Sequence, residues 1–90
     1  MKRAIALSDE DNVAVMLEEV LRGDDVEVVV GRKRIILKAL NDIPFGHKIA
    51  LREIRKGEKV IKYGEPIGEA ITDIKQGEHV HVQNIKSILI

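Results

Sequence analysis

Histidines carry most of the chemistry that this sequence offers. His79 and His81 lie two residues apart in a stretch typical of a strand, and the chain has one further histidine, His47. Because strand side chains alternate, the first two imidazoles share one face and could bind one metal ion or one anion. A zinc or iron site needs at least a third protein ligand, which His47 or another chain would have to supply. The alternative is a solvated polar face on a half-buried strand.

The alternation along this strand also predicts what lies on either side of it. Gln83 joins the face of the two histidines. Val80 and Val82 share the opposite face, and we expect both to be buried.

A second candidate site follows a glycine. His47 and Lys48 come directly after Gly46, where a turn is expected. A histidine beside a lysine could bind a carboxylate or polarise a hydroxyl group. The alternative is an ordinary exposed pair of polar side chains.

Two further segments offer polar groups in fixed loops. Residues 62–68 place two glycines and a proline around Tyr63, the only tyrosine, beside Lys62. The alternative there is a hairpin loop with Tyr63 packed on its edge. Asp11 and Asn12 stand at the start of a predicted helix, where such residues more often cap the helix than form a site.

Composition excludes several classes of protein. Ninety residues make one domain, residues 1–90, and the 15 basic and 15 acidic residues cancel, which argues against a dedicated nucleic-acid binder or a polybasic membrane protein. Without cysteine there is no disulfide, thiolate metal site or cysteine nucleophile. No signal peptide, membrane span, phosphate loop or serine nucleophile is evident, so we expect a cytoplasmic subunit or binding module rather than an autonomous enzyme.

The elements that must position these residues are mostly strands. Residues 3–7, 26–30 and 33–40 read as strands, the last two forming a hairpin, and short strands broken by glycines follow. One short helix near the N-terminus is predicted, ending at Gly23, because apolar residues recur at helical spacing: Val13, Met16, Leu17, Val20 and Leu21. The predicted fold class is therefore mainly β with one short N-terminal helix.

One eight-residue phrase occurs four times, at residues 19–26, 42–49, 53–60 and 73–80. Each copy has an acidic residue, a β-branched aliphatic residue, two variable residues, a glycine, two polar residues and a final valine or isoleucine. We expect the first aliphatic residue to anchor a turn in the core and the glycine to take a positive φ. The last aliphatic residue should then enter the next strand. The uneven spacing argues against a solenoid.

Four blocks in order, residues 11–15, 43–51, 60–68 and 77–84, give the chain a family resemblance. It resembles the N-terminal SAF domain of altronate/galactarate dehydratases, and it is similar to the small subunit of sulfolactate sulfo-lyase. The resemblance implies a SAF-type β-clip fold and a part in β-elimination of water from a hexonate or hexarate, in complex with a large catalytic subunit. Loss of sulfite from sulfolactate, or a non-catalytic module that binds carbohydrate or another small molecule, are the alternatives.

The resemblance also implies site roles and a cofactor. The implied site residues are the catalytic His47 and Lys48, the substrate-binding Asn12, Lys62, Tyr63 and Asn84, and the metal-binding His79 and His81. A divalent metal, iron or manganese, would be held mainly by the large subunit. Ser8 and Gln83 stand where relatives often have histidine, which raises the question of altered or lost activity.

Overall fold

The computed structural model describes residues 1–87, and these form nine strands and no helix. The strands in chain order are β1 (Lys2–Ala6), β2 (Val13–Met16), β3 (Asp25–Val30), β4 (Lys33–Lys38), β5 (Lys48–Ala50), β6 (Lys59–Lys62), β7 (Glu65–Ala70), β8 (His79–Val80) and β9 (Ile85–Ser87). Six form one sheet in the order β4-β3-β1-β2-β5-β8, and three form a second in the order β6-β7-β9. β1 and β3 are parallel, and the other pairs are antiparallel. In this part of the chain, nothing helical is long or apolar enough to cross a bilayer.

The predicted N-terminal helix is wrong. Residues Val13–Met16 form β2 instead, which pairs with β1 on one side and with β5 on the other. Extended backbone is favoured here because two neighbouring strands satisfy its hydrogen bonds, and tertiary pairing overrides a local apolar pattern. Leu17 and Leu21, which the helix would have buried, are 48% and 54% exposed.

The recurring phrase forms the predicted turn at all four places. The first aliphatic residue is fully buried in each copy, and these residues meet in pairs through short bridges: Val20 with Ile43, and Ile54 with Ile74. The glycine has a φ between 83° and 93° in each copy. The last aliphatic residue enters a strand and is also fully buried: Val26, Ile49, Val60 and Val80. The predicted turn is therefore confirmed, and it overlaps the segment that was expected to be helical.

Gly77 shows why one of these turns tolerates only glycine. Its φ is +88°, a region that other L-residues enter with strain. A Cβ atom at this position would also collide with the backbone oxygen of Lys38 and approach the Leu40 side chain to 3.3 Å. Its N–H donates to the carbonyl of Ala50 at 2.9 Å, and its own carbonyl accepts from Leu40 at 2.9 Å. Gly77 therefore fixes the approach to β8, where two of the histidines begin.

Two hydrophobic clusters fill the interior. The larger includes Met16, Ile43 and Ile49, and the smaller includes Ile54, Val60 and Val80. β5 and its partner β2 contribute to both, because alternate side chains of a strand point to opposite faces. β5 is thus held by both clusters and β8 by the smaller one through Val80, so the histidine segments at their ends start from fixed backbone.

The prediction that Val80 and Val82 share a buried face is half wrong. Val80 is fully buried, whereas Val82 is 78% exposed. β8 contains only His79 and Val80, after which the chain turns. Asn84 explains the turn, because its N–H donates to the carbonyl of His81 at 3.1 Å while its side-chain oxygen accepts from the His81 N–H at 2.9 Å. The alternation of a strand therefore ends before Val82.

Candidate metal centre

Strand pairing brings the three histidines together. His47 leaves the turn at Gly46 and directly precedes β5, and His79 opens β8. β5 and β8 are antiparallel, with Lys48 opposite Val80 and Ile49 opposite His79. His81 follows Val80 at the end of the same strand. The start of one strand therefore lies beside the end of the other, and residues 32 positions apart become neighbours.

The imidazoles form a close cluster. Nδ1 of His47 lies 2.9 Å from Nε2 of His79, and the nearest ligand atoms of all three residues lie within 4.8 Å of one another. The ring centroids of His47 and His81 are 4.4 Å apart, with an angle of 27° between the ring planes. His79 stacks at 5.1 Å from His47 and 5.5 Å from His81. All three rings are half-buried.

Backbone hydrogen bonds hold each histidine in place. The His79 N–H donates to the side-chain oxygen of Asn41 at 2.9 Å, and its carbonyl accepts from the Asn84 amide at 2.8 Å and the Gln83 amide at 3.1 Å. His81 donates to Asn84, and the carbonyl of His47 accepts from the N–H of Met16 at 2.8 Å. The three rings are therefore carried on backbone with little freedom.

The surroundings of His79 and His81 disfavour the charged form of these two rings. Burial lowers the pKa of His79, and the neighbouring His47, His81 and Lys48 lower it further. The pKa of His81 is also lowered, by desolvation first and then by His47 and Lys48. Burial likewise lowers the pKa of Lys48, and Lys62 adds to this effect. A neutral imidazole has a free lone pair, which is the form that binds a metal ion.

The donor set suits a divalent transition metal. Two nitrogen ligands with bonds of about 2.0–2.1 Å and angles of 90–110° lie roughly 2.8–3.4 Å apart. The separation of 2.9 Å between His47 and His79 falls in that range. No carboxylate belongs to this cluster within residues 1–87, so imidazole nitrogen is the only donor type that it offers. Nitrogen donors favour zinc, iron, cobalt, nickel or copper over magnesium or calcium.

The structure places the two predicted asparagines in structural positions. Asn12 is 1% exposed, and its amide donates to the carbonyl of Lys59 at 2.9 Å and accepts from the N–H of Ile61 at 2.7 Å. It therefore ties β6 to β2. Asn84 is 3% exposed and holds the turn that carries His79 and His81. Their predicted contacts with substrate remain predictions.

Lys62 and Tyr63 lie on the hairpin between β6 and β7. Tyr63 has a φ of 52° and Gly64 a φ of 79°, which is the backbone of a tight type I′ turn. Nζ of Lys62 lies 5.3 Å from the centre of the Tyr63 ring, within range of a cation–π contact. Tyr63 is 39% exposed, so it sits at the edge of a hairpin loop. Its substrate-binding role is untested.

Asp11 and Asn41 organise backbone in ways that the sequence did not predict. The sequence favours a helix cap at Asp11, but its carboxylate accepts from the N–H groups of Leu7, Ser8 and Gly64 at 2.7–3.1 Å. Burial would raise its pKa, yet these hydrogen bonds outweigh it and the pKa is lowered. Asn41, which positions His79, carried only the signal of a loop residue in the sequence.

Comparison with known proteins decides the family. The family model of the altronate/galactarate dehydratase SAF domain matches residues 2–88. The chain belongs to this SAF-domain family. The predicted resemblance is thereby confirmed, and a mainly β structure is consistent with it.

This SAF domain is similar to part of two altronate dehydratases and to a subunit of a sulfo-lyase. It is 38% identical over 89 residues to an altronate dehydratase of Bacillus subtilis, covering 99% of this chain and 17% of the relative. It is 47% identical over 79 residues to an altronate dehydratase of Escherichia coli, covering 88% of this chain and 15% of that protein. It is 49% identical over 51 residues to the (2R)-sulfolactate sulfo-lyase subunit alpha of Paracoccus pantotrophus, covering 57% of this chain and 76% of that subunit. The SAF domain therefore spans about one sixth of the dehydratases.

Proposed function

We propose that this SAF domain is the small subunit or N-terminal domain of a hydro-lyase that removes water from a hexonate or hexarate. The observation that carries the proposal is the cluster of His47, His79 and His81 on a domain whose family belongs to altronate and galactarate dehydratases. Because the domain covers 17% and 15% of the two altronate dehydratases, a large catalytic chain would supply the remainder of the site.

The chemistry to be assisted is an elimination. A base removes the proton α to the substrate carboxylate, and the hydroxyl group on the next carbon leaves as water. A divalent metal, which the family resemblance implies is held mainly by the large subunit, would polarise the leaving hydroxyl as a Lewis acid. The half-buried Lys48, which directly follows His47, would attract the substrate carboxylate. Lys62 lies near enough to lower the pKa of Lys48, so it adds positive charge on the same side.

The lysines suit an anionic substrate for a second reason. Among residues 1–87, neither Lys48 nor Lys62 has a carboxylate oxygen within ion-pair distance, although Lys38 and Lys59 do. A half-buried ammonium group without a counter-ion is costly, and a bound carboxylate would offset that cost. His47 and Lys48 therefore remain the proposed catalytic pair of this chain.

A second candidate is a part in sulfolactate desulfonation. The observation that favours it is the match to a sulfo-lyase subunit alpha over 76% of that subunit, which makes it a chain of similar extent. Sulfite rather than water would then be the leaving group, from a substrate that also carries a carboxylate. A free-standing carbohydrate-binding module is the third alternative, since a shared fold does not fix function.

The test is reconstitution with a large lyase chain. The domain and a large subunit from the same genome are co-expressed, and the purified complex is assayed for 2-keto-3-deoxy acid from hexonates and hexarates and for sulfite from sulfolactate. We expect turnover that needs both chains, and His47→Ala should reduce it by at least about tenfold. Lys33→Gln, at the opposite edge of the six-stranded sheet, is the matched control and should leave turnover unchanged.

Each outcome separates the alternatives. Sulfite release without dehydration would favour the second candidate. A soluble domain that forms no complex would contradict both lyase roles and favour the binding module. Full turnover in the His47→Ala complex would remove His47 from the site.

A further inference from the structure

We infer that this SAF domain by itself binds one divalent transition-metal ion through His47, His79 and His81. The expectation drawn from the family resemblance placed the metal mainly on the large subunit. The geometry places three nitrogen donors on this chain, which is as many protein ligands as a catalytic zinc site uses. The inference concerns binding by the domain alone, so it goes beyond the proposed lyase role and can succeed or fail separately.

The donor atoms approach one another closely enough to share an ion. The distance of 2.9 Å between Nδ1 of His47 and Nε2 of His79 lies within the separation of roughly 2.8–3.4 Å expected for two imidazole ligands on one ion. The third residue, His81, brings a ligand atom to within 4.8 Å of the others. Binding of one ion by all three rings requires this separation to shorten, which a change of side-chain torsion at a half-buried histidine would provide.

Hydrogen bonds organise the three histidines before a metal arrives. Asn41 and Asn84 hold the backbone of His79, Asn84 also holds His81, and Met16 holds His47. Outer hydrogen bonds of this kind restrict where ligands point, and they reduce the entropy that binding must overcome. Asn84 is 3% exposed, so its amide is committed to this turn.

The nearby charges and the donor type determine which ions the cluster can bind. Lys48 and Lys62 place positive charge nearby, and the cluster holds no carboxylate to neutralise a cation. Hard ions that depend on charge, such as magnesium and calcium, are therefore disfavoured, whereas ions that form strong bonds with imidazole are retained. Three protein ligands leave at least one position open, and the lysines favour an anionic group there.

The competing explanation is a stack of hydrogen-bonded imidazoles. A separation of 2.9 Å also fits one imidazole donating to the other, in which case no metal is required. The two explanations differ in a direct measurement. A metal site binds one ion per chain with an affinity that depends on all three rings, whereas a hydrogen-bonded stack does not.

The experiment uses the 90-residue chain after removal of metal with a chelator. Zinc, cobalt(II) and, under anaerobic conditions, iron(II) and manganese(II) are titrated by calorimetry, with magnesium and calcium in parallel. The cobalt complex is also followed by its visible absorption. The chain has three histidines in total. In an ¹⁵N spectrum, the ring-nitrogen signals that disappear in one His→Gln variant therefore belong to the histidine replaced in that variant.

We expect one transition-metal ion per chain and no binding of magnesium or calcium. Each of His47→Gln, His79→Gln and His81→Gln should weaken zinc binding by at least about 100-fold, the upper limit of the 10–100-fold loss typical of outer-shell residues. Lys33→Gln should bind as the unaltered chain does. Thermal unfolding of the metal-free variants shows whether each one still folds, so a lost site is distinguished from a lost fold.

Two results would overturn the inference. One is the absence of any transition-metal binding by a folded, metal-free chain. The other is zinc binding that survives two of the three His→Gln substitutions. Metal binding by the domain without turnover of the reconstituted complex would leave this inference standing and contradict the proposed function. Turnover of the reconstituted complex by a domain that binds no transition metal in the titration would do the reverse.

Discussion

Replacement of Asn12 by alanine should destabilise the protein strongly, even though family resemblance implies a substrate-binding role for this residue. Asn12 is 1% exposed, directly precedes β2 of the six-stranded sheet, and bonds through its side chain to β6 of the three-stranded sheet. The amide donates to the carbonyl of Lys59 at 2.9 Å, and its oxygen accepts from the N–H of Ile61 at 2.7 Å. Asn12→Ala removes both partners and leaves two backbone groups of β6 unpaired.

The magnitude follows from these two contacts. A buried polar group without a partner costs about 1–3 kcal/mol. Two such groups, with some relief from water at the end of the strand, give a loss of about 2–4 kcal/mol in the free energy of unfolding. For a domain of this size, about 4–8 °C of Tm corresponds to each kcal/mol, so Tm should fall by about 8–32 °C.

The assay compares Asn12→Ala with Asn41→Ala by thermal and urea unfolding. Asn41 is exposed and accepts one hydrogen bond, from His79, so its loss should cost about 1 kcal/mol or less. A Tm of Asn12→Ala within about 2 °C of the unaltered protein would refute the structural reasoning. An unchanged Tm with a raised KM in the reconstituted complex would instead support the role in substrate binding.

Three further predictions test the packing, the turns and the titration. Val80→Ala should lower the free energy of unfolding in urea by about 1–3 kcal/mol, because Val80 is fully buried. Val82→Ala, at a position 78% exposed, should change it by no more than about 0.5 kcal/mol. Equal losses in the two variants would contradict the turn after β8. Gly77→Ala should destabilise the protein by at least about 2 kcal/mol more than Gly57→Ala. Both glycines have a positive φ, but of the two only Gly77 lies against the Lys38 carbonyl. Similar melting curves for the two variants would count against that contact. The metal-free protein should lose stability as pH falls below about 6.5, since unfolded His79 then binds a proton that the folded ring, with its lowered pKa, resists. A pH titration of the urea midpoint that is equally steep in His79→Gln would show that another group is responsible.

The recurring turn shows how much local sequence can determine. A glycine that must adopt a positive φ and aliphatic residues at two fixed offsets specify the turn within eight residues. Its burial pattern and its exit into a strand therefore follow from sequence alone. Most strands, the hairpin that places Gly31 in its turn and the loop at Tyr63 follow from the same local rules.

The predicted helix shows where local patterns fail. Spacing of i, i+3 and i+4 is also produced by a short strand followed by a turn, and Val13 to Leu21 has that arrangement. Only pairing with β1 and β5 decides between the two, and those partners are remote in sequence. The prediction for Val82 was wrong for a related reason, because the strand ends at Val80 and the hydrogen bonds of Asn84 hold a turn where alternation was expected to continue through Gln83.

The candidate site was likewise predicted in part from the sequence and completed by strand pairing. The sequence by itself predicted His79 and His81 as candidate metal ligands, with His47 as a candidate for the third, because these are the imidazole donors of the chain and cysteine is absent. It left open whether His47 or another chain would complete the set. The tertiary structure brought His47 to the other two, since the antiparallel pairing of β5 with β8 joins residues 32 apart in the chain. Register between distant strands depends on the packing of the whole core, and no local pattern encodes it.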